Sequence, residues 1–264
     1  MRKLFEFFMR FKIIASFFDF LYRTHLHELV FLPMVARIRR KEIVYFLHIN
    51  KTAGTSILSA LEGLGWKTEF GYLIPLPHEV GLRRLPTRAK VAFFVRLPYT
   101  RFASGFEHIQ KRGYPSYSIE LSEAEEDAFV EFSSFQALVE GTISSENDRA
   151  EKARCAWCSI YHLRWSYRHY FGDIEYLRSQ LHRIVFVGEQ EDFAEDWKRF
   201  FKKFYGKEVP LEEKNVLAKQ REILPGYREA IERIHPDEFL LYEEVLRRKA
   251  QLCGEVLCSA EGGS

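Results

Sequence analysis

The sequence predicts an α/β protein with a central, mostly parallel sheet flanked by helices. Apolar runs of strand length alternate with amphipathic stretches of helix length. The run "AKVAFFV" at 89–95 shows no polar alternation, as a strand covered on both faces requires. Glycines stand where the helical stretches stop, at Gly63, Gly65, Gly141 and Gly206.

Taken in order, the first 22 residues place Leu4, Phe8, Phe11, Ala15, Phe18 and Tyr22 at helical spacing. Glu6, Arg10, Lys12 and Asp19 interrupt any uncharged run that would span a bilayer, and no clean signal-peptide pattern appears. The stretch reads as an amphipathic helix that either packs on the domain or lies on a membrane surface. Residues 1–41 carry nine Lys/Arg against three acids, so this segment is distinctly basic. A strand follows at 43–49 and a helix at 55–63. After the strand at 89–95, "YTRFASGFEHI" reads as a helix entered through Pro98. The stretch from about Glu123 to Gly141 reads as one helix. "HRIVFVG" (182–188) is a third strand, "EDFAEDWKRFFKKFY" the helix after it, and the segment from Gly226 a helix broken at Pro236. The domain therefore runs over 42–250, between the N-terminal segment and a tail at 251–264.

A chain of 264 residues buries one sizeable core more readily than two. The 39 Lys/Arg against 37 Asp/Glu leave a net charge of +2, with no basic excess to argue for nucleic acid. Cys155 and Cys158, with Cys253 and Cys258 far downstream, read as ordinary thiols, with four zinc ligands as the minority reading.

The chemistry concentrates at "HINKTAGTS" (48–56), in the turn from the first strand into its helix. Such turns sit at the carboxyl edge of an α/β sheet, where anions bind. The helix N-terminus supplies N–H donors and partial positive charge, and Gly54 allows close approach or positive φ. Thr52, Thr55 and Ser56 add hydroxyls and Lys51 a cation, together a cradle for a phosphate-like group. The plainer alternative is a helix capped by Thr55 or Ser56. In nucleotide triphosphatase loops the lysine comes late, and a downstream strand ends in an aspartate for Mg²⁺. Here Lys51 comes early and the strand ends at Arg96, which suits a second anion. Ser104 follows one element later. No metal ligand is expected.

These motifs resemble the carbohydrate sulfotransferases related to the heparan sulfate 2-O-sulfotransferases. "HINKTAGTS" is similar to the family's "HIPKTGGTS", and "FVRLPYTRFASGF" to its R-D-P-x-x-R-x-x-S-x-[YF]. "IVFVGEQEDF" and "DEFLLYEEV" resemble later family segments. The resemblance spans about 43–245 and implies a P-loop-like sulfotransferase fold. Its donor would be 3′-phosphoadenosine 5′-phosphosulfate (PAPS). It implies that Lys51, Thr52, Ala53, Gly54, Thr55 and Ser56 hold the 5′-phosphosulfate, that Arg96 and Ser104 hold the 3′-phosphate, and that Arg101 shapes the motif. Asn50, Ala53 and Leu97 depart from the pattern, and Leu97 replaces an acid that would orient Arg96.

For sulfuryl transfer, Lys51 would stabilise charge growing on the leaving oxygen, and a base must take the acceptor's proton. His78 is the expected base, because relatives place a histidine in that region and imidazole titrates in the useful range. Glu79 is the fallback, His108 a cleft candidate, and His48 and His162 structural. Trp157, Trp165, Tyr167 and Arg168 form either a sugar-stacking face or core. The expected partner is a glycan or glycolipid hydroxyl, with possible peripheral membrane contact through residues 1–22. The donor places the protein in the cytoplasm. Rival readings are a Mg-dependent nucleotide phosphotransferase and a non-catalytic, nucleotide-binding, membrane-associated protein.

Overall fold

The computed structural model describes residues 41–69, 71–112, 119–211 and 226–261, with side chains to Gly254. The expected N-terminal amphipathic helix lies outside the described residues. Four strands form one sheet: β1 (Glu42–Leu47), β2 (Gly71–Pro75), β3 (Lys90–Val95) and β4 (Ile184–Glu189). Their order is β2-β1-β3-β4 and every pairing is parallel. From β1 the chain crosses to one side for β2 and to the other for β3. The sheet's order therefore reverses between β1 and β3, and a crevice opens where their following loops diverge.

The consecutive apolar residues of β3 divide between two layers. Phe94 faces α1 (Gly54–Leu64) and α8 (Phe193–Tyr205), where Phe46, Ile57, Leu61, Trp197 and Phe200 bury together. Phe93 faces the other side, towards α6 (Tyr167–Phe171), α7 (Ile174–Gln180) and α10 (Glu238–Glu261), packing with Phe171, Leu177 and Leu241. Burial on both faces is why the strand reads as a continuous apolar run. A third core joins α2 (Pro98–Gln110), α3 (Glu123–Glu131), α4 (Phe135–Thr142), α5 (Asn147–Ser159) and α9 (Tyr227–Ile234) around Phe102, Phe106 and Trp157.

Four expectations change. The stretch from Glu123 to Gly141 is two helices, because Ser134 caps a new one by accepting from the Ala137 N–H at 3.1 Å. β2 was not anticipated, since "GYLIP" is a short edge strand bounded by glycine and proline. Helices α5 to α7 occupy a region without a clear sequence period. The last helix continues to Glu261, across the stretch expected to be a tail. Among the described residues no helix is long and apolar enough to cross a membrane.

Candidate functional site

The loop after β1 carries backbone conformations that ordinary side chains avoid. Lys51 has φ 63° and Ala53 φ 66°, with Thr52 at negative φ between them. Alternation of positive and negative φ is the backbone pattern from which anion-binding nests are built. Helix α1 begins at once, with Ala53 at the cap and no side chain capping it. Thr55 and Ser56 therefore do not cap the helix, which removes the plainer reading of those hydroxyls. Thr55 is exposed and Ser56 half-buried. Thr52 is buried and donates to the Ile49 carbonyl at 3.0 Å, so its hydroxyl holds the loop from inside.

Gly54 is needed for its lack of a side chain and not for its φ. A Cβ there would lie 2.0 Å from Cδ2 of His48, whose ring occupies the approach to the helix. That ring stacks on His78 at 3.8 Å between centroids. His78 Nδ1 lies 2.6 Å from the His48 carbonyl oxygen. A carbonyl only accepts, so Nδ1 carries the proton and Nε2 is left with its lone pair. Burial lowers the His78 pKa, opposed by its hydrogen bond to His48 and by Glu79. Glu79, beside it, accepts from the Tyr161 hydroxyl at 3.2 Å.

Arg96 leaves β3 beside this loop. Its Nη1 donates to the Lys51 carbonyl at 3.3 Å and its Nε to Thr100 Oγ1 at 3.1 Å. The Lys51 pKa is lowered to about 8, first by burial and then by the Arg96 charge. Among the described residues no carboxylate pairs with Lys51. Two cations thus share a partly buried crevice in which neither neutralises the other. The surrounding imidazoles stay neutral: burial lowers His48 to about 3, His108 to about 4 and His162 to about 2, and Lys51 adds to the last two. Asn50, fully buried at the loop's start, has both side-chain polar atoms without a hydrogen-bond partner among the described residues, as does His162 Nδ1. Orphaned polar atoms beside an unpaired ammonium fit a site shaped around an anionic group.

Ser104 is half-buried on the helix face of Thr100 and His108, one turn from each. Arg101, by contrast, is buried. It pairs with the equally buried Glu238, donates to the Trp165 carbonyl at 2.9 Å, and stacks on Phe102 and Tyr167. This is a shaping role carried out in the core, not at the helix surface.

Three contributors escaped sequence reasoning. The Tyr167 hydroxyl accepts from the Arg96 N–H at 2.9 Å and donates to the Arg96 carbonyl at 2.5 Å. The Tyr170 hydroxyl accepts from the Asn50 N–H at 3.3 Å, so the short α6 tethers both loops. Glu191, beyond β4, accepts from the Leu97 N–H at 3.2 Å and the Thr100 hydroxyl at 3.1 Å. An acid thus reaches the start of α2 although Leu97 provides none. The sequence signal for α6 was the aromatic pair in "SYRHYF". Glu191 stands at the acid of a G-x-x-E pattern in "IVFVGEQEDF", the segment that resembles a later family motif, though no role was read from it.

Tyr167 and Trp157 are fully buried, so neither forms part of a sugar-stacking face. Trp165 is half-buried, and the exposed Arg164 covers the Tyr161 and Trp165 rings at 4.7 and 5.1 Å. Arg168 is exposed and pairs with Asp237 at 3.4 Å. Cys155 and Cys158 are exposed on α5, and among the described residues no three or more His, Cys, Asp or Glu gather as a metal-binding group. A cavity of about 410 Å³ lies at the opposite, amino end of the strands, lined by Glu42, Tyr72, Lys90 and Lys203; it shares no residue with these loops.

The chain matches none of the protein-family models, curated proteins or solved structures with which it was compared.

Proposed function

We propose that this protein is a sulfotransferase that moves a sulfuryl group from PAPS to a hydroxyl of a carbohydrate-type acceptor. The observation that carries the reading is the half-buried Lys51 ammonium, without a carboxylate partner among the described residues, beside Arg96 at an uncapped helix start. A half-buried ammonium at a helix N-terminus is a favourable seat for an anion. Two cationic side chains on loops from neighbouring strands suit a nucleotide phosphorylated at two places.

In this reading Lys51, the N–H groups of the nest and the hydroxyls of Thr55 and Ser56 hold the 5′-phosphosulfate. Thr52 keeps the loop in shape. Arg96 and Ser104 take the 3′-phosphate. Bound, the donor supplies a sulfuryl group whose leaving group is a phosphate. The Lys51 ammonium lies where charge grows on that phosphate as the old S–O bond breaks. His78 Nε2 takes the acceptor's proton as the new S–O bond forms, its ring fixed through Nδ1 by the His48 carbonyl. Burial, which lowers the imidazole pKa, favours the neutral form that can accept this proton. Tyr161, Glu79 and Trp165 border the approach to His78 and form the acceptor side.

Calorimetry separates this reading from its rivals. 3′,5′-Adenosine bisphosphate should bind without metal and in the presence of EDTA, ATP should bind poorly, and Lys51→Ala should weaken the bisphosphate. Metal-dependent binding of ATP in preference to the bisphosphate favours the phosphotransferase. Bisphosphate binding with no sulfuryl transfer to any glycan or glycolipid acceptor favours the binding protein.

A further inference from the structure

We propose that Glu191 is a positioning residue for Arg96, acting through the Thr100 hydroxyl; the inference rests on the donor-site reading of Arg96. β3 and β4 are neighbours, with Val95 opposite Glu189 and the Gln190 N–H on the Val95 carbonyl at 2.8 Å. The chain leaving β4 therefore emerges beside Arg96 and Leu97. There a single carboxylate oxygen of Glu191 takes both the Leu97 N–H and the Thr100 hydroxyl. Helix α2 has no cap of its own, because Leu97 at its cap is apolar and Pro98 lacks an N–H. Glu191 supplies that cap from a distant segment, with its charge at the favourable end of the helix.

The consequence for Arg96 runs through the Thr100 hydroxyl. Thr100 Oγ1 has a single hydrogen and two acceptors in reach, Glu191 and the Leu97 carbonyl at 2.9 Å. The charged oxygen is the stronger acceptor. Whichever acceptor takes the proton, an Oγ1 lone pair remains for Arg96 Nε at 3.1 Å. The Glu191 oxygen, bound to both the Leu97 N–H and this hydroxyl, helps fix where that Oγ1 stands. With Nη1 on the Lys51 carbonyl, the guanidinium is then held at Nε and at Nη1 before any ligand arrives. A long side chain ordered in advance costs less on binding.

A nearby acid with no positioning role predicts the opposite sign, since its charge only repels an incoming anion. Calorimetry with 3′,5′-adenosine bisphosphate decides between the two. Glu191→Gln keeps an acceptor oxygen and is expected to bind within about twofold of wild type. Glu191→Ala and Thr100→Val are each expected to weaken binding roughly five- to tenfold, the ordering cost of about one long side chain. The double variant should be no weaker than either single one. A second readout needs no nucleotide: the Arg96 Nε–H signal, assigned by its loss in Arg96→Lys, is followed by heteronuclear NOE. It should be rigid in wild type and Glu191→Gln and averaged in Glu191→Ala. Glu191→Ala that binds as tightly as wild type or tighter, additive losses in the double variant, or an unchanged Arg96 signal overturns the proposal. If wild type ignores the bisphosphate, the donor-site reading falls, and the Arg96 signal alone still decides whether Glu191 positions it.

Discussion

Lys51 should make anion binding pH-dependent in a window where few other groups titrate. Its pKa is lowered to about 8 from the ordinary 10.5, because burial and Arg96 both disfavour the charged form. An anion seated beside it restores a high pKa, so binding is coupled to proton uptake. With a pKa of about 8, roughly nine-tenths of the molecules carry the ammonium at pH 7 and roughly one-tenth at pH 9. Bisphosphate affinity should therefore fall about tenfold over that range, and about half a proton should be taken up per molecule bound at pH 8. His48, His108 and His162, at about 3, 4 and 2, are neutral throughout and add nothing to the change. The assay is titration calorimetry at several pH values in buffers of different ionisation enthalpy, with Lys51→Met as the control that should abolish the pH dependence. The unliganded fold runs the other way: a lysine pKa below its unfolded value means that stability rises between about pH 8 and 10.5. Affinity that is flat from pH 7 to 9, with no proton uptake, would refute the assignment of the anion site to Lys51.

Other outcomes follow from the same geometry. His78→Ala should lower turnover by about 10²- to 10⁴-fold while bisphosphate affinity stays near wild type; turnover within a few-fold of wild type eliminates His78 as the base. Arg101→Met leaves the buried Glu238 without its charge partner and should cost about 3–5 kcal/mol in urea unfolding. A loss below about 1 kcal/mol contradicts a shaping role. Ala53→Gly relieves a left-handed residue worth roughly 1–2 kcal/mol of strain, less the extra chain entropy of glycine, so stability should stay level or rise by up to about 1 kcal/mol. A clear loss of stability would mean that the loop does not adopt this conformation.

The parts of the site that were legible in the sequence are those in which one short stretch fixes both the element and its chemistry. The step from β1 through Lys51 into α1 and the step from β3 through Arg96 into α2 are each continuous in the chain. The periodicity on either side located them. The role of Gly54 was legible only in outline: close approach was anticipated, but its partner, the His48 ring, could not be read from spacing. Tyr167 and Tyr170 were not legible as site residues because they act from far along the chain, through hydroxyl contacts that leave no local pattern. Glu191 lies in a segment that resembles a family motif, but its reach to Leu97 and Thr100 could not be read from it. The shaping role of Arg101 was expected from the resemblance, but its partner was not, since Glu238 is supplied by a distant helix. β2 was missed because five residues at a sheet edge carry little periodicity.

A crystal structure with 3′,5′-adenosine bisphosphate bound tests the central claim most directly. The account predicts the 5′-phosphate on the loop of Lys51 and the N-terminus of α1, with the 3′-phosphate against the Arg96 guanidinium. Nucleotide bound elsewhere, or lying with neither phosphate near these two cations, would contradict it.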